Sequence, residues 1–219
     1  MSKLDVLKRI EEIGLLPVLR ASSTDEAIAV ANAIEAGGIT ALEVTMTVPG
    51  AVELIRAMVK TSGDRILIGA GTVLDPETAR ACILAGAAFI VSPSLNLKTI
   101  ELCHRYGVAV MPGALTPTEV VTAWQAGADL VKVFPCSALG GASYLKALKA
   151  PLPQVQLIPT GGVSLTTAAD FLAAGAFALG VGGDLVNTKA IAAGTPEVIT
   201  EKAKQYMAVI AQFRASAKK

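Results

Sequence analysis

An amphipathic stretch that ends in glycine and passes at once into a short apolar run recurs five times in this chain. Ala36-Gly37-Gly38 leads into 39–45, Ala85-Gly86-Ala87 into 88–92, Gly107 into 108–112, Ala126-Gly127-Ala128 into 129–134, and Ala174-Gly175-Ala176 into 177–182. Glycine after a helix takes the left-handed conformation that ends it, and the apolar run that follows reads as a buried strand. Three further apolar runs, 15–20, 65–72 and 155–162, bring the strand candidates to eight. They begin roughly 20 to 26 residues apart, enough for a strand, a helix and two short loops each time. Helix starts are legible too: Thr24 before Asp25-Glu26, Asp75 before Pro76, the capping box Thr116-Pro117-Thr118-Glu119, and Ser164. Eight such units are the size of a (β/α)8 TIM barrel, here a single domain over 1–219. An extra N-terminal helix, 4–13, is expected across its bottom, and a last helix, 196–213, to close it. A doubly wound sheet usually has fewer strands, and none of these runs is followed by a GxGxxG turn.

Hydrophobic residues make up 53% of the chain and the mean hydropathy is +0.56, which raises the question of a membrane. Apolar runs such as 66–70 and 176–181 are short and bounded by glycine, far below the roughly 20 residues of a spanning helix. Strands buried on both faces of a parallel sheet account for the apolar content. A net charge of +1, with its charges well mixed, provides no field for nucleic acid or an anionic membrane. Residues 1–12 hold no apolar secretory segment. Cys82, Cys103 and Cys136 are odd in number and form no CxxC pair, which suits a reducing cytoplasm. The single histidine, His104, argues against a histidine metal site or a serine–histidine triad.

A barrel of this kind carries its chemistry at the C-terminal ends of its strands. The polar residues expected there are Arg20, Glu43, Thr45, Thr47, Thr72, Ser92, Lys132, Thr160 and Asp184. Two of them sit inside apolar strands: Glu43 in Ala41-Leu42-Glu43-Val44-Thr45 and Lys132 in Leu130-Val131-Lys132-Val133-Phe134-Pro135. A charge in a packed barrel is costly unless it is paired or neutralised. A neutral lysine amine attacks a ketone to give an imine, which then draws electrons from a neighbouring bond. A carboxylate beside it can move the protons of dehydration, enamine formation and carbon–carbon cleavage. The competing reading makes the two residues a buried ion pair that only fills the barrel. Gly161-Gly162 and Gly182-Gly183 end the last two strands, where barrels of this kind bind phosphate on backbone N–H groups. Arg20 and Thr72 are placed to hold a carboxylate, the arginine by a charge-assisted fork. Cys136 reads as a bystander, Trp124 as core or interface, and His104 as a surface residue.

These residues lie in motifs that together resemble the 2-keto-3-deoxy-6-phosphogluconate (KDPG) aldolase family, also called 4-hydroxy-2-oxoglutarate aldolase. The motifs are Pro17-Val18-Leu19-Arg20, Leu42-Glu43-Val44-Thr45, Gly69-Ala70-Gly71-Thr72-Val73, Val91-Ser92-Pro93, Met111-Pro112-Gly113, Val131-Lys132-Val133-Phe134-Pro135 and Pro159-Thr160-Gly161-Gly162-Val163. The resemblance implies a class I aldolase with no metal or other cofactor. It implies a covalent imine on Lys132 and Glu43 as general acid and base. The pyruvyl carboxylate falls to Arg20 and Thr72, and the pocket walls to Pro93 and Phe134. Thr160, Gly161 and Gly162 fall on the phosphate side, with Gly182 and Gly183 opposite. The partners implied are a ketoacid, a phosphorylated aldehyde and two further copies of the chain in a homotrimer. Thr47, counted among the substrate-binding residues, stands where some members carry an arginine, which shifts carboxylate binding. Asp184 stands where some members carry serine, and an acid there repels a phosphate unless it points away. The related 6-phosphogalactonate aldolases share most of these motifs. Outside the aldolases, a metal-dependent epimerase would need several histidine ligands. A non-catalytic sugar-phosphate-binding or assembly barrel predicts that no ketoacid adduct forms.

Overall fold

The computed structural model describes residues 1–217. Its strands are β1 (Leu15–Leu19), β2 (Ala41–Thr45), β3 (Leu67–Gly71), β4 (Phe89–Val91), β5 (Ala109–Met111), β6 (Gly113–Ala114), β7 (Val131–Val133), β8 (Leu157–Pro159) and β9 (Leu179–Val181). All strand pairs are parallel. They form a six-stranded sheet in the order β5-β4-β3-β2-β1-β9 and a three-stranded sheet in the order β6-β7-β8. Each of the eight expected runs contains a strand, trimmed at its ends where the chain turns into loops. The run 108–112 differs in one respect: after β5 the pairing breaks at Pro112 and resumes beyond the run as β6. Proline has no N–H to give a ladder, and here its carbonyl accepts from Lys132 N at 2.9 Å instead. On the other flank, the bridges Leu157↔Ala176 and Thr160↔Gly180 carry the three-stranded sheet across to β9. Every strand residue is buried, as sheets covered on both faces require.

The glycine junctions behave as their pattern predicts. Gly38, Gly86, Gly107, Gly127 and Gly175 all have positive φ. Asp75 caps its helix by accepting from Thr78 N, and Thr116 and Glu119 form both halves of a capping box. Two starts differ from expectation. The helix Thr24–Ala36 is capped by Ser23, whose hydroxyl accepts from Glu26 N at 3.2 Å, so Thr24 is its first residue. Ser164 caps no helix, and the helix after β8 begins only at Ala168. Thr167 Oγ1 accepts from Ser164 N and donates to Gly162 O, and this holds the intervening residues in a turn. Besides β6, two short elements have no counterpart in the sequence pattern: a 3-10 turn, Cys136–Leu139, and a helix, Thr188–Ala192.

The N-terminal helix Lys3–Ile13 buries Val6, Ile10 and Ile13. Its Lys3 pairs with Asp129 at 2.8 Å and its Arg9 donates to Asp64 O at 2.8 Å. Both partners lie just ahead of strands, so this helix covers the N-terminal strand ends. The helix Glu197–Ala217 buries Ile199, Ala203, Tyr206 and Ile210 on one face. It sits very close to the helix Thr24–Ala36: a Cβ added at Gly37 would stand 2.3 Å from that of Ala203. Thr200 Oγ1 fastens the contact by donating to Ala33 O at 2.9 Å. These helices leave the C-terminal strand ends for the polar side chains.

Candidate active site

Lys132 is the middle residue of β7, in register with Gly113 on one side and Ile158 on the other. Glu43 is the middle residue of β2, in register with Val18 and Gly69. Lys132 Nζ stands 3.5 Å from Glu43 Oε1, and the two residues are 5% and 1% exposed. Alone in water, such a pair would be weak; here each charge has given up its hydration for the other. The ammonium also lies 5.5 Å from the centre of the Phe134 ring, whose negative face attracts a cation.

Glycine makes room for this pair. A Cβ at Gly71 would fall 1.9 Å from Glu43 Oε1, so the β3 position facing the carboxylate must be empty. On the Lys132 side, Gly113 performs the same service for Pro93: a Cβ there would lie 2.2 Å from the Pro93 carbonyl carbon. Pro93 is thus pressed against the strand beside Lys132. Thr72 follows β3 with φ +57, a conformation unusual for a residue with a side chain and often found at functional sites. Thr45 Oγ1 donates to Leu19 O at 2.9 Å and lies 2.6 Å from Thr47 Oγ1, which ties Thr47 to the end of β1.

A cavity of about 310 Å³ opens beside the pair. Arg20, Phe134 and Thr160 line it, as do Gly161, Gly162, Gly182, Gly183 and Asp184. Phe134 is the link, since its ring faces Lys132 and also lines the cavity. Thr47, Thr72 and Pro93, with Glu43 and Lys132 themselves, lie outside that lining. Arg20 is exposed and has no salt bridge among the described residues. The N–H groups of Gly162, Gly183 and Asp184 donate to no backbone acceptor among the described residues. Burial pushes the Cys136 thiol up to about 11, which leaves it protonated and unreactive at neutral pH. Among the described residues there is no cluster of three or more side chains suited to a metal ion, and no helix is long and apolar enough to cross a membrane.

The residues that sequence reasoning missed lie behind the cavity lining and come from far along the chain. Asp184 Oδ2 accepts from the Tyr206 hydroxyl at 2.6 Å, and Asp184 Oδ1 pairs with Lys202 Nζ at 3.0 Å. Nothing in the local sequence links a helix at 202–206 to a turn at 184. The four-residue spacing of Lys202 and Tyr206 shows only that they share a helix face.

The family model for KDPG and KHG aldolase matches residues 6–202. The 2-dehydro-3-deoxy-phosphogluconate aldolase of Treponema pallidum is 34% identical over 94% of this chain and 97% of its own. The 2-dehydro-3-deoxy-6-phosphogalactonate aldolase of Escherichia coli is 40% identical over 80% of this chain and 85% of its own. Among solved structures, the KDPG aldolase of Legionella pneumophila, with pyruvate captured as a covalent carbinolamine, superposes with a TM-score of 0.84. It is 31% identical and covers 93% of this chain and 97% of its own. A match that spans nearly the whole fold, and relatives this similar over most of their length, make the chain a member of the KDPG and KHG aldolase family.

Proposed function

We propose that this chain is a class I aldolase that cleaves 2-keto-3-deoxy-6-phosphogluconate to pyruvate and glyceraldehyde 3-phosphate through an imine on Lys132. Cleavage of 4-hydroxy-2-oxoglutarate to pyruvate and glyoxylate follows the same steps. The observation that carries the reading is the buried Lys132–Glu43 pair beside a cavity with free backbone donors. The Lys132 amine attacks the C2 ketone, and loss of water from the carbinolamine gives the imine. Glu43 takes the proton of the C4 hydroxyl as the C3–C4 bond breaks, and the bonding electrons move toward the imine nitrogen. The aldehyde leaves, and the enamine accepts a proton at C3. Hydrolysis then frees pyruvate and restores Lys132. Arg20 and Thr72 hold the pyruvyl carboxylate, and Thr47 supports the strand ends around them. Pro93 and Phe134 wall the reacting carbons. Thr160, Gly161, Gly162, Gly182 and Gly183 receive the phosphate.

The scaffold is read as one closed (β/α)8 barrel over 1–219. Support comes from the short step across Pro112 on one flank and the bridges to β9 on the other. The chain works without metal or other cofactor, in the cytoplasm, as a homotrimer. Three buried, unpaired cysteines suit a reducing compartment, and the exposed Leu74, Leu84 and Leu97 suit burial in an oligomer.

The test is incubation with pyruvate and borohydride, followed by intact mass and peptide mapping. An adduct on Lys132 is expected. A folded protein with no adduct, or with one on another lysine, refutes the mechanism. A second test uses Gly71→Ala. The added methyl must displace the Glu43 carboxylate, so kcat is expected to fall about a hundredfold, the cost of misplacing a catalytic group by an ångström. Undiminished turnover in a folded Gly71→Ala protein would mean that the position of Glu43 is not critical.

A further inference from the structure

Asp184 is an acid at the edge of a cavity whose other features favour an anion. It follows Gly182-Gly183 and lines the cavity with them. Gly182 O accepts from Leu185 N at 3.0 Å and from Val186 N at 2.9 Å, so the turn closes on itself through its carbonyl. The N–H groups of Gly183 and Asp184 donate to no backbone acceptor among the described residues, and Gly161 and Gly162 line the same cavity. A carboxylate released beside such donors has two options, and both harm phosphate binding. It can accept from the free N–H groups and fill the anion site itself, or it can face the phosphate and repel it.

The observed arrangement prevents both. Each oxygen of Asp184 has its own donor, the Tyr206 hydroxyl at 2.6 Å and the Lys202 ammonium at 3.0 Å. The two donors stand one turn apart on a single face of the helix Glu197–Ala217. That helix is fixed to the helix Thr24–Ala36 by the Gly37–Ala203 approach and by Thr200, so the donors are not free to drift. Tyr206 is completely buried. Burial, reinforced by Asp184, pushes its phenol far up, so it stays a donor throughout the neutral range.

We infer that Tyr206 and Lys202 are positioning residues for the phosphate end of the substrate: they hold the Asp184 carboxylate away and keep the Gly182-Gly183 turn open to a phosphoryl group. The inference rests on the aldolase reading above. Its test separates the two ends of the substrate. KM for the phosphorylated substrate reports on the phosphate side, and the pyruvate concentration for half-maximal borohydride trapping reports on the lysine side. In Tyr206→Phe, KM for the phosphorylated substrate is expected to rise roughly tenfold, the scale of losing a hydrogen bond to a charged group, with kcat little changed. Half-maximal trapping by pyruvate should stay where it is. Adding Asp184→Asn to Tyr206→Phe should restore KM, because the amide carries no charge to repel the phosphate. Lys202→Met should act in the same direction and carries the test if Tyr206→Phe does not fold, since Lys202 is partly exposed. The inference is overturned if KM and pyruvate trapping move together, if KM does not move, or if Asp184→Asn fails to restore it. Absence of trapping in the unaltered protein would instead refute the aldolase reading itself.

Discussion

Lys132→Ala is expected to lower kcat on the order of a millionfold, the scale seen when an enzyme loses its covalent nucleophile. The pyruvate–borohydride mass increment should vanish with it. The expectation is this large because no other lysine lines the cavity, and Lys202, whose ammonium pairs with the cavity residue Asp184 at 3.0 Å, is committed to that carboxylate. Stability alone would mislead. Removing Lys132 strands a buried carboxylate, which costs about 3–5 kcal/mol whether the pair is catalytic or structural. Lys132→Arg addresses this, because a guanidinium keeps the cation beside Glu43 yet cannot form the imine. A folded Lys132→Arg protein with no activity and no adduct separates chemistry from folding. If Lys132→Ala keeps more than about a hundredth of the parent kcat, far above what loss of a nucleophile leaves, the imine lies elsewhere.

Glu43→Gln should produce the second-largest effect, a loss of about 10²- to 10⁴-fold in kcat, the usual contribution of a positioned general acid and base. The amide keeps the size of the carboxyl group, so the space beside Gly71 stays filled. Slow trapping of pyruvate on Lys132 should survive, since the amine is still present. Single-turnover kinetics would place the defect in the proton-transfer steps. Complete loss of trapping, with the protein folded, would instead make Glu43 a group that merely holds the lysine in place.

The order of elements and the direction of the sheets were legible because the relevant signals are local. A helix, a glycine with positive φ and a buried strand are all read within about twenty residues, and the junctions at Gly86, Gly107, Gly127 and Gly175 have the predicted backbone. Lys132 and Glu43 were legible for a related reason: a charge inside an apolar strand violates its own surroundings. Their 3.5 Å approach realises an expectation based on strand position alone. What was not legible depends on contacts between distant segments. The break at Pro112 is a property of how three strands share hydrogen bonds. The shift of a helix start from Ser164 to Ala168 follows from Thr167 reaching back to Gly162. The donors of Asp184 lie on a helix whose apolar pattern predicts burial and says nothing of the turn it meets.

Glycine on β3 has consequences for how this pocket can change over time. At position 69 a side chain would run into the Phe89 ring at 2.1 Å, and at position 71 into the Glu43 carboxylate at 1.9 Å. The strand has ceded its share of the interior to two neighbours. A lineage exploring new substrates therefore finds β3 closed to single steps. Enlarging residue 69 demands that Phe89 shrink first, and truncating a buried aromatic costs about 3–5 kcal/mol. Enlarging residue 71 demands that Glu43 withdraw, which on the reading above costs about a hundredfold in turnover. Heritable variation is channelled away from β3 and toward positions such as 182 and 183, where an added Cβ would meet no atom within 4 Å.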